Sequence, residues 1–185
     1  MGNALTSLRR WFSGRACDEE GSATIPFAIM MPFFLILVMS SLEMGMMLIR
    51  HVLLERSLDL AVRNLRLGTW VNPTHDQLKK VICNNAWLIP NCSNVLLVEL
   101  RPVSKVTWQP LSAGPVCVDR AKAINLPPPF QPGAGDEMML IRVCAKFDPI
   151  YPMTGLGFHL PKDNTGAYAL ISSTAFVNEP DPDGN

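Results

Sequence analysis

The chain has 185 residues, of which 48% are hydrophobic and only 17% are charged. The charged share is well below the ~25% typical of soluble domains, and the positive and negative charges cancel to a net charge of zero. A neutral chain of this length fits one domain with an anchor, and it offers no electrostatic basis for a nucleic-acid partner.

The first element is an apolar stretch without any charged side chain, residues 22–42. As an α-helix it is roughly 31 Å long, which matches the hydrocarbon core of a bilayer. The stretch is longer than the apolar core of a signal peptide, and no small-residue cleavage motif follows it. We therefore predict a retained transmembrane helix at 22–42, with the lipid bilayer as its partner and a cytoplasmic, leader-like segment at 1–21 before it.

Basic residues orient this span only weakly. Three arginines precede it and two follow closely, namely Arg9, Arg10, Arg15, Arg50 and Arg56. The positive-inside rule gives a small preference for a cytoplasmic N-terminus. The cysteines decide the orientation, because Cys17 precedes the span and the other four follow it, as expected for disulfides in an oxidising compartment.

Four cysteines follow the span, and they allow three pairings: Cys83, Cys92, Cys117 and Cys144. We favour Cys83–Cys92 because the intervening loop is short and contains Pro90, which leaves Cys117–Cys144 as the second bridge. The alternative is that all four are buried free thiols in a cytosolic domain.

Glu43 is the first charged residue after the span. In one interpretation it is a helix-packing carboxylate that pairs with a neighbouring subunit within the membrane. In the other, which we favour, it marks the outer interface, where the chain has already crossed the bilayer.

Helical periodicity continues beyond the span. Apolar residues recur at helical spacing, at Leu54, Leu58, Ala61, Val62 and Leu65. Charged residues form the opposite stripe, at Arg56, Asp59, Arg63 and Arg66. The pattern predicts an amphipathic extension of the same helix over residues 43–67, with a stop near Gly68.

A second, shorter helix is indicated by the capping-box spacing of Thr74 and Gln77. Its apolar face is formed by Leu78, Val81, Ile82 and Ala86. The helix is expected to end before Pro90.

Strands are predicted from three stretches rich in apolar and β-branched residues: residues 94–108, 138–147 and 166–177. The first is either one strand or two strands broken near Pro102. A further short strand is expected at residues 116–118. Turn-forming residues indicate loops at 126–136 and at 148–164.

These elements predict an α+β fold in which a long N-terminal helix, a short second helix and an antiparallel sheet pack together in segregated layers. The domain outside the membrane is expected to comprise residues 43–180, followed by a disordered tail at 181–185.

No pattern of a catalytic or metal site is evident. The three histidines are not spaced as paired metal ligands, and Cys83 and Cys92 are too far apart for a zinc knuckle. The sequence contains neither a Gly-rich phosphate loop nor a G-x-S-x-G motif. We therefore expect no enzymatic activity, no metal and no cofactor.

A resemblance to a known family rests on three segments: Gly21-Ser-Ala-Thr-Ile-Pro26-Phe27-Ala28-Ile-Met-Met-Pro32, Ile82-Cys83 through Pro90-Asn-Cys92, and Ser173-Thr-Ala-Phe-Val-Asn178-Glu179-Pro180. The first resembles the start of the TadE-like proteins, the pseudopilins or minor pilins of the tight-adherence (Tad, Flp-type) pilus system. The second resembles the paired-cysteine region of that family, and the third resembles the Asn-Glu-Pro ending of many members.

The resemblance implies a pilin-like fold in the bacterial inner membrane, with the C-terminal domain in the periplasm. It implies a non-enzymatic role in assembly of the Flp pilus, which supports adherence and biofilm formation. The implied partners are other Tad assembly proteins or pilin subunits, and a prepilin peptidase that would cut between Gly21 and Ser22.

One position departs from the pilin pattern. Pilin-type sequences usually carry a glutamate five residues after the processed glycine, and Pro26 stands there in this chain. Proline has neither a charge nor an amide donor, so it cannot make the interaction ascribed to that glutamate. The alternative function is therefore an unprocessed, membrane-anchored scaffold or binding protein of another envelope complex.

Overall fold

The computed structural model describes residues 23–70, 73–108, 114–121 and 129–179. In chain order these residues form α1 (Thr24–Arg66), α2 (His75–Asn85), α3 (Cys92–Val95), β1 (Leu96–Pro102), β2 (Met138–Phe147), α4 (Gly155–His159) and β3 (Tyr168–Val177). The expected α+β class is confirmed. Two compact units divide between Met39 and Ser40. The predicted leader at 1–21 and the tail at 181–185 lie outside the described residues.

The described part of the first unit is the beginning of α1. Its side chains are exposed from Thr24 to Leu37, and α1 is long and apolar enough to cross a membrane. Pro26 occupies the first turn, where a helix needs no backbone donor, and Pro32 lies inside the helix.

The second unit is built on a three-stranded antiparallel sheet with the order β1-β2-β3. At the middle of β2, Val143 is opposite Val98 on one side and Ser172 on the other. Because side chains alternate along a strand, every second residue of each strand belongs to the same face. The face that includes Val98 and Val143 forms one side of the core.

The core lies between this sheet face and the helices. α1 contributes Leu54, Leu58 and Ala61, and α2 contributes Leu78 and Ile82, all at most 1% exposed. They pack with apolar residues of all three strands, among them Val98, Leu100, Met139, Ile141, Val143 and Phe176. The apolar faces predicted for both helices are therefore confirmed.

The ends of the helices follow local chemistry. The Thr74 hydroxyl accepts a hydrogen bond from the Gln77 N–H at 3.3 Å, and the Gln77 side chain accepts one from the Thr74 N–H at 3.2 Å. This is the capping box that the sequence predicts. Gly68, with φ of +59°, follows the end of α1 in a left-handed conformation that favours glycine.

The first strand is shorter than predicted. Residues before Leu96 form α3 instead, and the strand ends at Pro102. Beyond it, the Ser104 hydroxyl accepts hydrogen bonds from the N–H groups of Val106 and Thr107, which forms a turn. The predicted strand over residues 94–108 was therefore too long at both ends.

The strand expected at residues 116–118 is wrong, since residues 114–121 contain no strand. Cys117 is attached to β2 through Cys144 instead. A disulfide therefore holds this segment against β2, whereas Val116 and Val118 had suggested the backbone hydrogen bonds of a strand.

Both predicted loops contain local order. In the first, Leu100 N–H donates to the Pro129 carbonyl and Gln131 N–H donates to the Leu100 carbonyl, both at 3.0 Å. In the second, α4 interrupts residues 148–164. Gly157 of α4 lies so close to the Tyr151 backbone that a Cβ atom would collide with it, so this glycine serves packing and does not mark an open loop.

Two disulfides join Cys83 to Cys92 and Cys117 to Cys144, with Cα–Cα distances of 5.6 and 5.2 Å. These are the pairs favoured by the sequence. The first links α2 to α3, and the second links the coil at 114–121 to the central strand.

The two disulfides should contribute unequally to stability. Their sequence separations are 9 and 27 residues, and loop-closure entropy gives about 2.7 kcal/mol for the shorter loop and about 3.6 kcal/mol for the longer one. We expect Cys117→Ala/Cys144→Ala to lower the free energy of unfolding more than Cys83→Ala/Cys92→Ala, as measured by guanidinium unfolding in mild detergent. Cys17→Ala is the control that leaves both bridges intact. A larger loss for the shorter loop would contradict this order.

Candidate functional site

The residues predicted from the sequence to be functional lie in different parts of the chain. Gly21 and Ser22, the expected cleavage site, lie outside the described residues. Pro26 is in the first turn of α1, and the four bonded cysteines belong to the second unit. Glu43 is the one that participates in an extended polar arrangement.

Glu43 is buried, with 1% of its surface exposed. Its carboxylate accepts hydrogen bonds from the backbone N–H of Ile150, at 3.1 Å to Oε1 and 2.9 Å to Oε2, and from that of Tyr151 at 2.9 Å to Oε2. A carboxylate removed from water requires such donors. Glu43 therefore fastens the segment after β2 to α1, a role that neither interpretation of this residue anticipated.

Ser40, one turn earlier on α1, holds the same segment. Its hydroxyl accepts a hydrogen bond from the Leu156 N–H at 3.3 Å. Between the two attachment points, the N–H and the hydroxyl of Thr154 both donate to the Tyr151 carbonyl, at 3.2 and 3.1 Å. The segment is thus fixed to α1 at both ends and folded upon itself in between.

Two turns after Glu43, Arg50 contacts the sheet. Its guanidinium lies over the Phe147 ring, 5.0 Å from the centroid, and Nη1 donates to the Tyr168 hydroxyl at 3.4 Å. Burial raises the pKa of Tyr168, against the opposing effect of Arg50. The residue after Arg50 is His51, whose Nε2 donates a hydrogen bond to the Ile171 carbonyl oxygen at 3.3 Å.

These residues extend the docking face of α1 well beyond its predicted apolar half. The complete face recurs at steps of three and four residues: Ser40, Glu43, Met47, Arg50, Leu54, Leu58 and Ala61. The apolar pattern of the sequence predicts this face only from Leu54 onward. The missed signal is that Glu43 and Arg50 continue the same helical period in polar form.

The opposite face of the sheet contains a second buried charge group. Glu99 of β1 is 2% exposed and forms an ion pair with Arg101 two residues later on the same face. Arg142 of β2, itself buried, is directly opposite Glu99 in the register. These residues were also missed, and the alternation of polar with apolar residues along β1 was the available signal.

Asp163 organises the turn that leads into β3. Its Oδ2 pairs with Lys146 Nζ at 2.6 Å, and its Oδ1 accepts hydrogen bonds from the Thr165 hydroxyl and from the N–H groups of Thr165 and Ala167. The Lys146 contact first, and the Thr165 hydroxyl next, hold the pKa of Asp163 far below its usual range.

The described residues contain no group of three or more His, Cys, Asp or Glu side chains arranged to hold a metal ion. A surface hollow of about 410 Å³ is lined by Thr69, Trp70, Gln77, Lys80 and Val81. Among the described residues that line it, Lys80 is the one ionisable group, so these residues provide no acid–base pair.

Glu43→Ala should detach the segment after β2. It leaves the N–H groups of Ile150 and Tyr151 without an acceptor, which costs about 1–3 kcal/mol in unfolding free energy, or more because the acceptor is charged. Hydrogen exchange of peptides covering residues 148–160 should accelerate in parallel. Glu55→Ala, on an exposed position of the same helix, should cost less than about 1 kcal/mol. Equal effects of the two substitutions would show that the Glu43 carboxylate is not holding this segment.

The Asp163 turn should make stability depend on acid. Since its folded-state pKa lies below the unfolded value, its contribution is present above the ordinary aspartate pKa of about 3.9 and is lost as the pH falls toward the folded value. We expect the free energy of unfolding to decrease between about pH 5 and pH 2, and Asp163→Asn to remove this part of the decrease. Asp59→Asn, at an exposed site on α1, should preserve it. An unchanged pH profile in Asp163→Asn would contradict the assignment.

No protein-family model matches the chain. No curated protein and no solved structure matches it either. The TadE-like resemblance therefore rests on the three sequence segments that carry it, and the chemistry of the molecule has to be argued from this chain alone.

Proposed function

We propose that the chain is a non-enzymatic, single-pass component of a Tad or Flp pilus machine in the bacterial inner membrane, where it supports adherence and biofilm formation. Its N-terminus lies in the cytoplasm and its disulfide-bonded domain in the periplasm. Its partners are pilin subunits or other Tad assembly proteins.

The anchoring role is supported by the first half of α1. Residues 22–42 lack charge, and the described side chains from Thr24 to Leu37 are exposed although most are apolar. Such a surface is stable in lipid and costly in water. The periplasmic orientation is supported by the two disulfides, which persist in oxidising compartments.

An assembly role is supported by one observation above all, an apolar stripe on α1 that continues beyond the predicted span. Met44, Leu48, Ile49 and Val52 are between 42% and 59% exposed. Val52 is ten positions past Leu42, or about 15 Å further along the helix. Apolar surface outside the lipid indicates a protein contact.

The position of this stripe indicates what kind of partner it fits. Met44, Leu48 and Val52 recur every four residues, as in the seam between packed helices. The residues that dock the domain, such as Glu43 and Leu54, occupy the buried side of α1. One helix thus serves two contacts, its own domain on one side and an apolar helix of another subunit on the other.

A second function remains in view because of Pro26. The missing glutamate, together with the acidic run Asp18-Glu19-Glu20 before Gly21, favours an unprocessed scaffold protein of another envelope complex. The N-terminus of the membrane-extracted protein separates the two functions. A chain beginning at Ser22 supports the pilin-like role, and a chain beginning at Met1 supports the scaffold.

The stripe provides the functional test. Deletion of the gene should abolish pili and adherence in the native bacterium, and complementation with Leu48→Gln/Val52→Gln should fail to restore them. Glutamine is a good helix former, so α1 should persist and the domain should still form both disulfides. Arg56→Gln, an exposed change on the same helix, should complement fully.

Pili and adherence that survive the deletion would overturn the pilus assignment. Full complementation by Leu48→Gln/Val52→Gln, with normal pilus number in electron micrographs, would show that this stripe is not the contact.

A further inference from the structure

We propose that residues 149–160 form a second membrane contact, an apolar lobe that lies in the interfacial layer of the bilayer that α1 crosses. The partner of this surface is lipid. The inference rests on the proposed membrane anchoring of α1, but it assigns a new role to a segment that does not itself span the bilayer.

The attachment points place the lobe at the boundary of the bilayer. Ser40 and Glu43, which hold it by hydrogen bonds, flank the end of the charge-free stretch at Leu42. Both lie within one helical turn, about 5 Å, of that end. The headgroup layer on each side of a bilayer is about 5–8 Å thick, so a lobe fixed to these two residues lies within it.

The composition of the lobe suits this layer. Residues 149–160 contain no Asp, Glu, Lys or Arg. Three of its large apolar side chains are exposed, with Met153 at 87%, Phe158 at 68% and Ile150 at 43%. Aromatic and apolar residues are typical of segments that lie in the membrane interface, whereas a surface facing water would gain nothing from this set.

The lobe is an ordered structure that displays these side chains. The Phe158 N–H donates to the Thr154 carbonyl at 3.2 Å, and the Leu160 N–H donates to the Leu156 carbonyl at 3.1 Å, which closes α4. Gly157 packs against the Tyr151 backbone. These backbone groups, which would be costly to leave unpaired in an apolar environment, are therefore paired within the lobe.

The two acidic residues that flank the lobe are neutralised in pairs. Asp148, directly before it, accepts two hydrogen bonds from Arg120, at 2.7 and 3.0 Å. Asp163, shortly after it, is paired with Lys146. Paired charges lose less hydration energy near lipid than isolated ones, so neither of these carboxylates opposes contact with the bilayer.

Lipid is favoured over a protein partner because the lobe is attached on either side of Leu42, where the charge-free stretch ends. If α1 is inserted, the interfacial layer is within one helical turn of these attachment points. No further assembly step is needed to cover Met153 and Phe158.

The test uses the full chain with Cys17→Ser, labelled at one introduced cysteine with an environment-sensitive fluorophore under non-reducing conditions. Labels at Met153→Cys and Phe158→Cys report on the lobe. Leu35→Cys reports on the span, and Val106→Cys, 88% exposed and near the opposite end of β2, is the matched solvent control. The protein is reconstituted in phosphatidylcholine vesicles that contain lipids with a nitroxide near either the headgroup or the chain end.

We expect the two lobe labels to lose most fluorescence with the shallow nitroxide, the Leu35 label with the deep nitroxide, and the Val106 label with neither. Quenching at Leu35 without quenching at the lobe would overturn this inference and leave the anchor intact. A blue-shifted but unquenched Phe158 label would also overturn it, because a second copy of the chain would then cover the lobe. Absence of quenching at Leu35 would refute membrane anchoring itself.

Discussion

The Glu43 carboxylate gives up its water in the folded protein, and the structure around it is arranged to compensate for that loss. Two backbone N–H groups from the segment after β2 replace the lost hydration. A backbone donor stays in place only if its segment has a fixed conformation. The hydrogen bonds to Glu43 therefore restrain the end of β2, the path toward α4 and the position along α1 at which this segment binds. Arg50 and His51 of the same helix make further contacts with the sheet.

A single helix therefore has to satisfy three environments. Its first half has the length and composition of a lipid span. Beyond Leu42 its buried side changes from polar contacts at Glu43 and Arg50 to apolar packing at Leu54 and Ala61. Its other side keeps an exposed apolar stripe. The polar groups at the start of this face are held by backbone hydrogen bonds to Glu43 and by the packing of Arg50 over Phe147, as buried polar groups require.

Elements governed by local chemistry were predicted well from the sequence. β2 is rich in apolar residues and contains neither proline nor glycine, and its predicted limits agree with the structure. The capping box of α2 depends on two residues three apart. By contrast, α3 depends on a disulfide and on Asn91, whose φ of 50° is uncommon for a residue other than glycine. α4 depends on Ser40 and on the Tyr151 backbone, which no local pattern indicates.

The same distinction explains the candidate site. The charge-free span and the first acidic residue after it are visible in the sequence, but the partners of Glu43 are not. They are backbone N–H groups, which every residue except proline possesses, so the residue types at 150 and 151 give no clue to the contact. Residues 148–164 were expected to form a loop, and the position of residues 149–160 beside Leu42 required the fold.

The separation between Glu43 and its donors has a consequence for the making of the protein. The Ile150 N–H lies 107 positions further along the chain, so α1 is synthesised long before the segment that completes its docking face. Until residues 150 and 151 have been made, the Glu43 carboxylate lacks the donors that hold it in the folded protein. A chain stopped before residue 148 never supplies them, so the unfinished product differs chemically from the finished one at a site that proteases and chaperones can recognise.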